Sequence, residues 1–239
     1  MVNFYVSQNY KSKMLNPDSI LRRLPKLDEK NLLVLDSLRF IIEMLSFSYE
    51  KFEELVLDLS IENKEKEYAP VFFYCWSIID NSRRFIRLYK QLPTRSGHKL
   101  VKKIEYVNKP RNTFQHIDER IDETLIDSKQ PFFGTLKWIF HDHKSKTIES
   151  FVAVSGIHYS ESHKFKVVDY NERLDISDIV LTTVDKKRSA EVNLSELKQD
   201  IVEIIASLEN ELLNQFSDQG AKLIDWSRKR DILFKFKNN

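Results

Sequence analysis

Three side chains suited to chemistry at a phosphate lie close together in the sequence. Arg111, Asn112 and His116 fall within six consecutive positions. A guanidinium can hold a phosphate through two parallel hydrogen bonds, and an imidazole gains or loses a proton near neutral pH. Arg111 would therefore clamp a phosphate, and His116 would act as the acid or base. Asn112 would position either of them.

The residues around these three have the pattern of a helix. Asn108 suits the N-cap, and Pro110 suits the first turn, where its missing N–H does no harm. Apolar side chains then recur every three or four residues and define the face that must turn to the core: Phe114, Ile117, Ile121 and Leu125. Arg111 lies at the positive end of the helix dipole. His116 points away from the core, so we expect a homodimer in which a second chain orients it.

The arginine, the polar residue after it and the histidine resemble the motif of the HEPN superfamily. Many members of this family are helical-bundle ribonucleases that act as dimers and need no metal ion. The resemblance implies that the 2′-hydroxyl of RNA attacks its own phosphate at a site formed by Arg111, Asn112 and His116, without a cofactor. The continuation His-Ile-Asp-Glu-Arg is similar to uncharacterised bacterial members. A toxin–antitoxin or defence role, with a protein partner that neutralises the activity, is an expectation of the same kind.

Two acids follow the histidine, and their role differs between two interpretations. In a ribonuclease, Asp118 and Glu119 would support the site. The HEPN branch that is silenced by tyrosine modification has a tyrosine where this chain has Asp118, so that form of control is not expected. The alternative is a module of HEPN type that binds RNA, a nucleotide or a protein partner without catalysis. Arg111, Asp118 and Glu119 would then be a structural set of ion pairs, with His116 at a subunit contact.

A basic segment leads into this helix. From residue 83 to residue 111 ten lysines and arginines are opposed by a single acid, Glu105. Such a surface attracts the RNA backbone. Asp80 ends an apolar run, 71–79, and needs a partner: it either pairs structurally with Arg83 or Arg84 or orients Arg111. The residues expected to contact RNA are Arg83, Arg84, Arg87, Lys102, Lys103 and Lys109.

Composition excludes several classes of function. The chain of 239 residues is 41% hydrophobic and 31% charged, which is typical of a soluble globular protein, and its net charge of +2 indicates no partner. Cys75 is the sole cysteine, so there is no internal disulfide and no cysteine-based metal cluster. Neither a signal-peptide core nor a membrane span is recognisable, which favours the cytoplasm. His141 and His143 would share one face of a strand, but we expect no metal site and no cofactor.

The periodicity predicts a single domain of the α+β class, mainly α, in which an antiparallel helical bundle carries a small antiparallel β-sheet inserted before the last long helix. The apolar run 71–79 predicts a central helix surrounded by neighbours. We divide the chain into an N-terminal arm (1–29), bundle helices (30–127), the β insertion (128–193), a closing helix (194–216) and a basic C-terminal tail (217–239). The tail would cover the bundle, complete a dimer or touch RNA. Helices are expected near 30–60, 68–91, 97–126 with a break near Pro110, and 194–216, and strands at 135–140, 148–155, 164–168, 179–184 and 190–192.

Overall fold

Helices and a small sheet make up the part of the chain that the computed structural model describes, which is residues 13–61, 67–93, 98–110, 131, 133–157, 164–185, 188–224, 226, 229–233 and 235. The helices in these ranges are α1 (Glu29–Ile61), α2 (Ala69–Tyr89), α3 (His98–Lys103) and α4 (Leu194–Asp218). The strands are β1 (Thr135–Asp142), β2 (Thr147–Val154), β3 (Ile176–Asp185) and β4 (Arg188–Asn193). The α+β class, mainly α, is confirmed. None of these helices has the length and apolarity needed to cross a membrane.

Helices α1 and α2 pack against each other and provide a large part of the core. Apolar residues of α1 recur at three- and four-residue steps, so that Leu38, Ile42 and Leu45 are buried on one face. A hydrogen bond of 3.0 Å between the hydroxyls of Ser48 and Ser77 joins the two helices. The prediction that α2 is surrounded on all sides is wrong, because Phe73 is 67% exposed.

The helix predicted at 97–126 is interrupted directly after α3, earlier than the break that we predicted near Pro110. A 3₁₀-helix, Glu105–Val107, follows α3, and residues 108–110 are helical again. Asn108 has helical backbone angles (φ −66°, ψ −30°), and its side-chain amide donates to the carbonyl of Glu105 at 2.8 Å. It is therefore not the N-cap that we predicted, since an N-cap residue has an extended backbone. Residues 111–126 of the predicted helix lie outside the described residues.

The four strands form one antiparallel sheet in the order β2-β1-β3-β4. Four of the five predicted strands are confirmed within it. Asp185 pairs with Arg188, so β3 and β4 are paired up to the two residues that connect them. The strand predicted at 164–168 is wrong: these residues are described and form no strand, and Val167 is 95% exposed. A β pattern becomes a strand only where a neighbouring strand satisfies its backbone groups, and this segment has no such neighbour among the described strands.

Helix α4 returns from the sheet to cover α1. It begins at Leu194, as predicted. The side chain of Asn193 caps its first turn by accepting a hydrogen bond of 3.0 Å from the backbone N–H of Glu196. Lys198 then forms an ion pair with Glu53 of α1 at 2.7 Å. Tyr49 of α1 donates to the carbonyl of Leu194 at 3.1 Å. These contacts fix the sheet and the closing helix on the same core, while the complete antiparallel bundle stays a prediction.

Part of the described C-terminal tail packs on the N-terminal arm. Leu223 forms an isolated antiparallel bridge with Pro25. The indole of Trp226 donates to the carbonyl of Leu24 at 2.8 Å. Leu24 is buried, so the tail adds to the core that the arm and α1 share.

Gly134, which precedes β1, should tolerate no side chain. Its φ is +92°, and a Cβ would lie 2.6 Å from the carbonyl oxygen of Thr182 on β3. We expect Gly134→Ala to lower the free energy of unfolding by more than about 2 kcal/mol, because backbone strain adds to a clash with backbone atoms. Urea denaturation measures the change.

Gly220→Ala is the matched control for this substitution. Gly220 also has a positive φ, +58°, but a Cβ there would have no atom within 4 Å. The expected loss is only the cost of the left-handed backbone, about 1 kcal/mol. Equal losses in the two variants would contradict a role for the clash.

Candidate functional site

The predicted catalytic residues fall in a part of the chain that the structure leaves undescribed. Arg111, Asn112, His116, Asp118 and Glu119 all lie outside the described residues. What the structure does describe is the segment that leads to them.

That segment is held against the end of α2. The ammonium of Lys90 lies 2.6 Å from the carboxylate of Glu105, so the residue that follows α2 is joined to the 3₁₀-helix. Val107 and Pro110 are buried, which anchors the chain immediately before residue 111. The segment immediately before the motif is therefore tied to the C-terminal end of α2.

Asp80 has the structural partner that we had considered first. Its carboxylate lies 2.6 Å from the guanidinium of Arg84, one helical turn later on α2. More than half of the Arg84 side chain is exposed, and an ion pair in that setting contributes about 0.3–0.5 kcal/mol. The contact orients Arg84 along the helix surface. The second alternative, a contact with Arg111, involves a residue outside the described ranges.

The basic residues differ in how far they are neutralised. Arg84, Arg87, Lys102, Lys103 and Lys109 are exposed, whereas Arg83 is half-buried. Arg84 and Lys103 are paired with acids, and the partner of Lys103 is Glu203 of α4 at 3.2 Å. Arg87, Lys102 and Lys109 have no ion pair among the described residues.

Counting charges along the sequence overestimated the positive surface. Glu203 lies 100 residues from Lys103 and was not part of that count. Its position on α4 gave no signal in the sequence, because acids on the exposed side of a helix are common. Among the six residues expected to contact RNA, Arg87, Lys102 and Lys109 are exposed and have no ion pair in the described ranges, so they are the ones best placed to meet a phosphate.

His141, on β1, is a buried histidine beside a serine, but the pair is not arranged for nucleophilic catalysis. Its Nδ1 accepts a hydrogen bond of 3.1 Å from the backbone N–H of Asn171. The proton of the neutral ring must then be on Nε2, which donates to the hydroxyl of Ser177 at 2.8 Å. A base that activates a serine needs a free ring nitrogen facing the hydroxyl, and here that nitrogen carries the proton. The contact is structural.

His143 forms a second cluster next to it. Its Nε2 lies 2.9 Å from the carboxylate of Asp175, and its Nδ1 lies 2.9 Å from the hydroxyl of Tyr170. Burial lowers the pKa of His141, and His143 lowers it further, while Asp175 acts in the opposite direction. In the ranges that the structure covers, no three histidine, cysteine or acidic side chains are grouped as metal ligands.

A cluster of arginines that sequence reasoning missed lies between the arm, α1 and the tail. Arg39 of α1 is only 3% exposed in its side chain and is surrounded by carboxylates. These belong to Asp36 at 3.0 Å, Glu43 at 2.7 Å and Asp231 at 3.1 Å. Burial alone would lower the pKa of Arg39, but the hydrogen bonds of Asp36 and Asp231 and the charge of Glu43 raise it.

Three further arginines complete the cluster, which we call the arginine cluster (Arg22, Arg23, Arg39 and Arg230). Arg22 pairs with Glu43 at 2.6 Å, and Arg230 pairs with Asp36 at 2.9 Å. Arg230 also donates to the carbonyl of Arg22 at 3.0 Å. A cavity of about 750 Å³ opens here, lined by Pro17, Arg22, Arg23, Arg39, Leu223, Ile224, Arg230 and Asp231. The spacing of residues in the sequence does not predict this cavity, because two of the residues that form it, Arg39 and Asp231, are 192 residues apart.

The buried His141 should make the protein less stable in mild acid. Since the native state lowers the pKa of His141 below its usual value of about 6.5, the unfolded chain binds more protons as the pH falls through that value. The stabilising effect of the neutral ring is therefore present above pH 6.5 and is lost below it. Urea denaturation at pH 7.5 and pH 5 should show a smaller pH-dependent loss in His141→Gln than in the wild type. His98→Gln, which replaces an exposed histidine on α3, should leave the loss unchanged, and an unchanged loss in His141→Gln would contradict the assignment.

Comparison with known proteins gives no relative for this chain. No family model matches it, and neither the curated proteins nor the solved structures include a match. Its function therefore has to be inferred from its own residues.

Proposed function

We propose that the chain is a metal-independent endoribonuclease of HEPN type, which cleaves RNA at a site shared by two copies. The observation that carries the proposal is the sequence motif of Arg111, Asn112 and His116, which follows directly on the buried Pro110. The segment before the motif is tied to α2 by the ion pair of Lys90 and Glu105. Because this segment is held in place, it can position a functional site that follows it more precisely than a loose loop could.

The charge around the motif supports RNA as the substrate. Lys109 is exposed two residues before Arg111, and Lys102 is exposed on α3. Both have no ion pair among the described residues, so their charge is available to a phosphate backbone. Arg87 provides a third such cation on α2. Contacts of this type give affinity without reading the base sequence.

The proposed reaction needs two proton transfers and stabilisation of negative charge. The 2′-oxygen of the RNA forms a bond to the adjacent phosphorus, and the bond from phosphorus to the 5′-oxygen of the next nucleotide breaks. His116 takes the proton of the 2′-hydroxyl or delivers one to the leaving 5′-oxygen. Arg111 stabilises the charge that develops on the phosphoryl oxygens, and Asn112 positions either group. The products are a 2′,3′-cyclic phosphate and a 5′-hydroxyl.

A homodimer fits this proposal because each chain supplies one motif. Two copies of Arg111 and His116 facing each other would form a cleft with walls of protein and with the positive ends of two helices. In that assembly a neutralising protein partner could block both motifs at once, as a toxin–antitoxin or defence role in the cytoplasm requires. Asp80, Asp118 and Glu119 would support the orientation of the arginine.

Cleavage of mixed RNA in the presence of EDTA tests the enzyme. We expect the wild type to cleave and His116→Ala to lose at least about 100-fold in rate, because it lacks the proton-transfer group. His98→Ala, which removes an exposed histidine from α3, is the matched control and should cleave normally. Cleavage that persists in His116→Ala, or that is absent from the wild type, contradicts the proposal.

Sedimentation of the same samples tests the dimer. If the protein is strictly monomeric and still cleaves RNA, the second chain does not contribute to the site.

The alternative function is RNA binding without cleavage, and the exposed bases favour it as a second candidate. Lys102 and Lys103 are neighbours on α3, but only Lys103 is paired with an acid in the described structure, at 3.2 Å from Glu203. The two positions therefore provide a matched test of which charge meets RNA.

We expect Lys102→Gln to weaken RNA binding more than Lys103→Gln does. The lost contact should weaken all RNA sequences alike and reduce the slope of log affinity against log salt by about one unit. Fluorescence anisotropy with a labelled single-stranded RNA at several salt concentrations measures both quantities. Equal weakening by the two substitutions would show that the ion pair with Glu203 does not decide which lysine meets RNA. No effect of either substitution would show that α3 is not in the RNA interface.

A further inference from the structure

The cavity at the arginine cluster has the properties of a ligand site, and we propose that it binds a phosphate monoester of nucleotide size. The inference does not depend on the proposed ribonuclease activity, because the cavity is formed by the arm, α1 and the tail and includes none of the residues assigned to that activity. It depends on charge balance, on one buried donor and on the shape of the cavity wall.

Positive charge exceeds negative charge around the cavity. Four guanidinium groups line it, together with one carboxylate, that of Asp231. Asp36 and Glu43 contact the arginines as well, which gives three carboxylates for four guanidinium groups. One positive charge is left over within the described residues, and an anion in the cavity would balance it.

Arg230 provides a hydrogen-bond donor that its own surroundings leave unsatisfied. Its Nε binds Asp36, and its Nη1 donates to the carbonyl of Arg22. Its Nη2 is buried and has no hydrogen-bond partner in the described structure, and the side chain is only 11% exposed. Burial and the charge of Arg39 lower the pKa of Arg230, and Asp36 and Asp231 act against this effect. A buried N–H without an acceptor is unfavourable, and Arg230 lines the cavity, so a small shift of its side chain would let an anionic oxygen there accept from it.

Arg23 is the arginine of the cavity wall that is best placed to meet the ligand. It lines the cavity, its side chain is exposed, and it has no ion pair with any described residue. The groups on either side of it are already oriented, because Arg22 is paired with Glu43 and Arg39 is held by three carboxylates. The separate terminal oxygens of a phosphate can accept from Arg230 and Arg23 together, and its negative charge offsets the excess positive charge of the cluster.

The size and the remaining wall of the cavity indicate what the phosphate is attached to. A volume of about 750 Å³ is typical of sites for small organic ligands and far exceeds a single phosphate ion. Pro17, Leu223 and Ile224 form an apolar part of the wall. A ring attached to the phosphate could pack against these side chains. A nucleoside monophosphate combines a dianion and a ring at this scale.

Titration calorimetry at constant ionic strength tests the proposal with AMP and UMP as the probes, and adenosine and inorganic phosphate as comparisons. We expect at least one nucleotide to bind at least tenfold more tightly than either comparison, because only the nucleotide contacts both the arginines and the apolar wall. Failure of both nucleotides to bind more tightly than adenosine and inorganic phosphate would overturn the proposal.

Substitutions separate binding at this cavity from binding elsewhere. Arg23→Gln removes the unpaired cation and should weaken nucleotide binding at least tenfold without changing the melting temperature. Arg173→Gln is the matched control, because Arg173 is exposed near the sheet and has no ion pair in the described residues. Arg230→Lys keeps the charge but replaces the guanidinium, including its unsatisfied Nη2, with a single ammonium. This variant should also bind the nucleotide more weakly. Wild-type affinity in Arg23→Gln would overturn the assignment, whatever the effect at Arg230.

Discussion

The buried charge of Arg39 is the constraint on which the arrangement of arm, helix and tail depends. A guanidinium removed from water is strongly unfavourable unless carboxylates and hydrogen bonds compensate for the lost hydration. Asp36 and Glu43 lie on the same helix and are available as soon as α1 forms. Asp231 is contributed by the far end of the chain, at 3.1 Å. The charge of Arg39 thus connects the tail to α1, and the described part of the arm contacts the tail at Leu24 and Pro25.

This arrangement explains why the tail has both basic and apolar residues. Trp226 contributes apolar contact and one hydrogen bond to the arm, while Arg230 and Asp231 extend the network of charges. Apolar burial supplies the general attraction, and the paired charges select one position of the tail, because a buried ion tolerates few alternative geometries. The same network creates the cavity, since guanidinium groups held by carboxylates cannot collapse into the space beside them.

Ion pairs also decide which basic residues remain available to a partner. Lys90 and Lys103 each hold parts of the fold together through Glu105 and Glu203. Such exposed pairs contribute little stability, but they reduce the positive charge that a phosphate would meet. The histidines of the sheet are limited in a similar way: the backbone N–H of Asn171 determines the tautomer of His141 and so excludes it as a base for Ser177. For the lysines and for His141 alike, a group that is close in space but distant in sequence decides what the side chain can do.

The sequence by itself determined the elements of regular structure that rest on local patterns. The apolar periodicity predicted α1 and α4, and the sequence pattern also predicted four strands of the sheet. The start of α4 is fixed locally as well, by the side chain of Asn193. These features depend on residues a few positions apart, so their physical cause is contained in a short stretch. The strand predicted at 164–168 was wrong for the opposite reason, because pairing requires a partner from elsewhere in the chain.

Tertiary structure alone decided how charges are paired and where the cavity lies. The motif of Arg111 and His116 could be recognised in the sequence because it is local, and its role stays a prediction. The arginine cluster could not, since the contact of Arg39 with Asp231 joins positions 192 residues apart. Electrostatic interactions act through space, and the sequence contains no period that relates two charges so far apart. Only the packing of the tail on α1 brings them together.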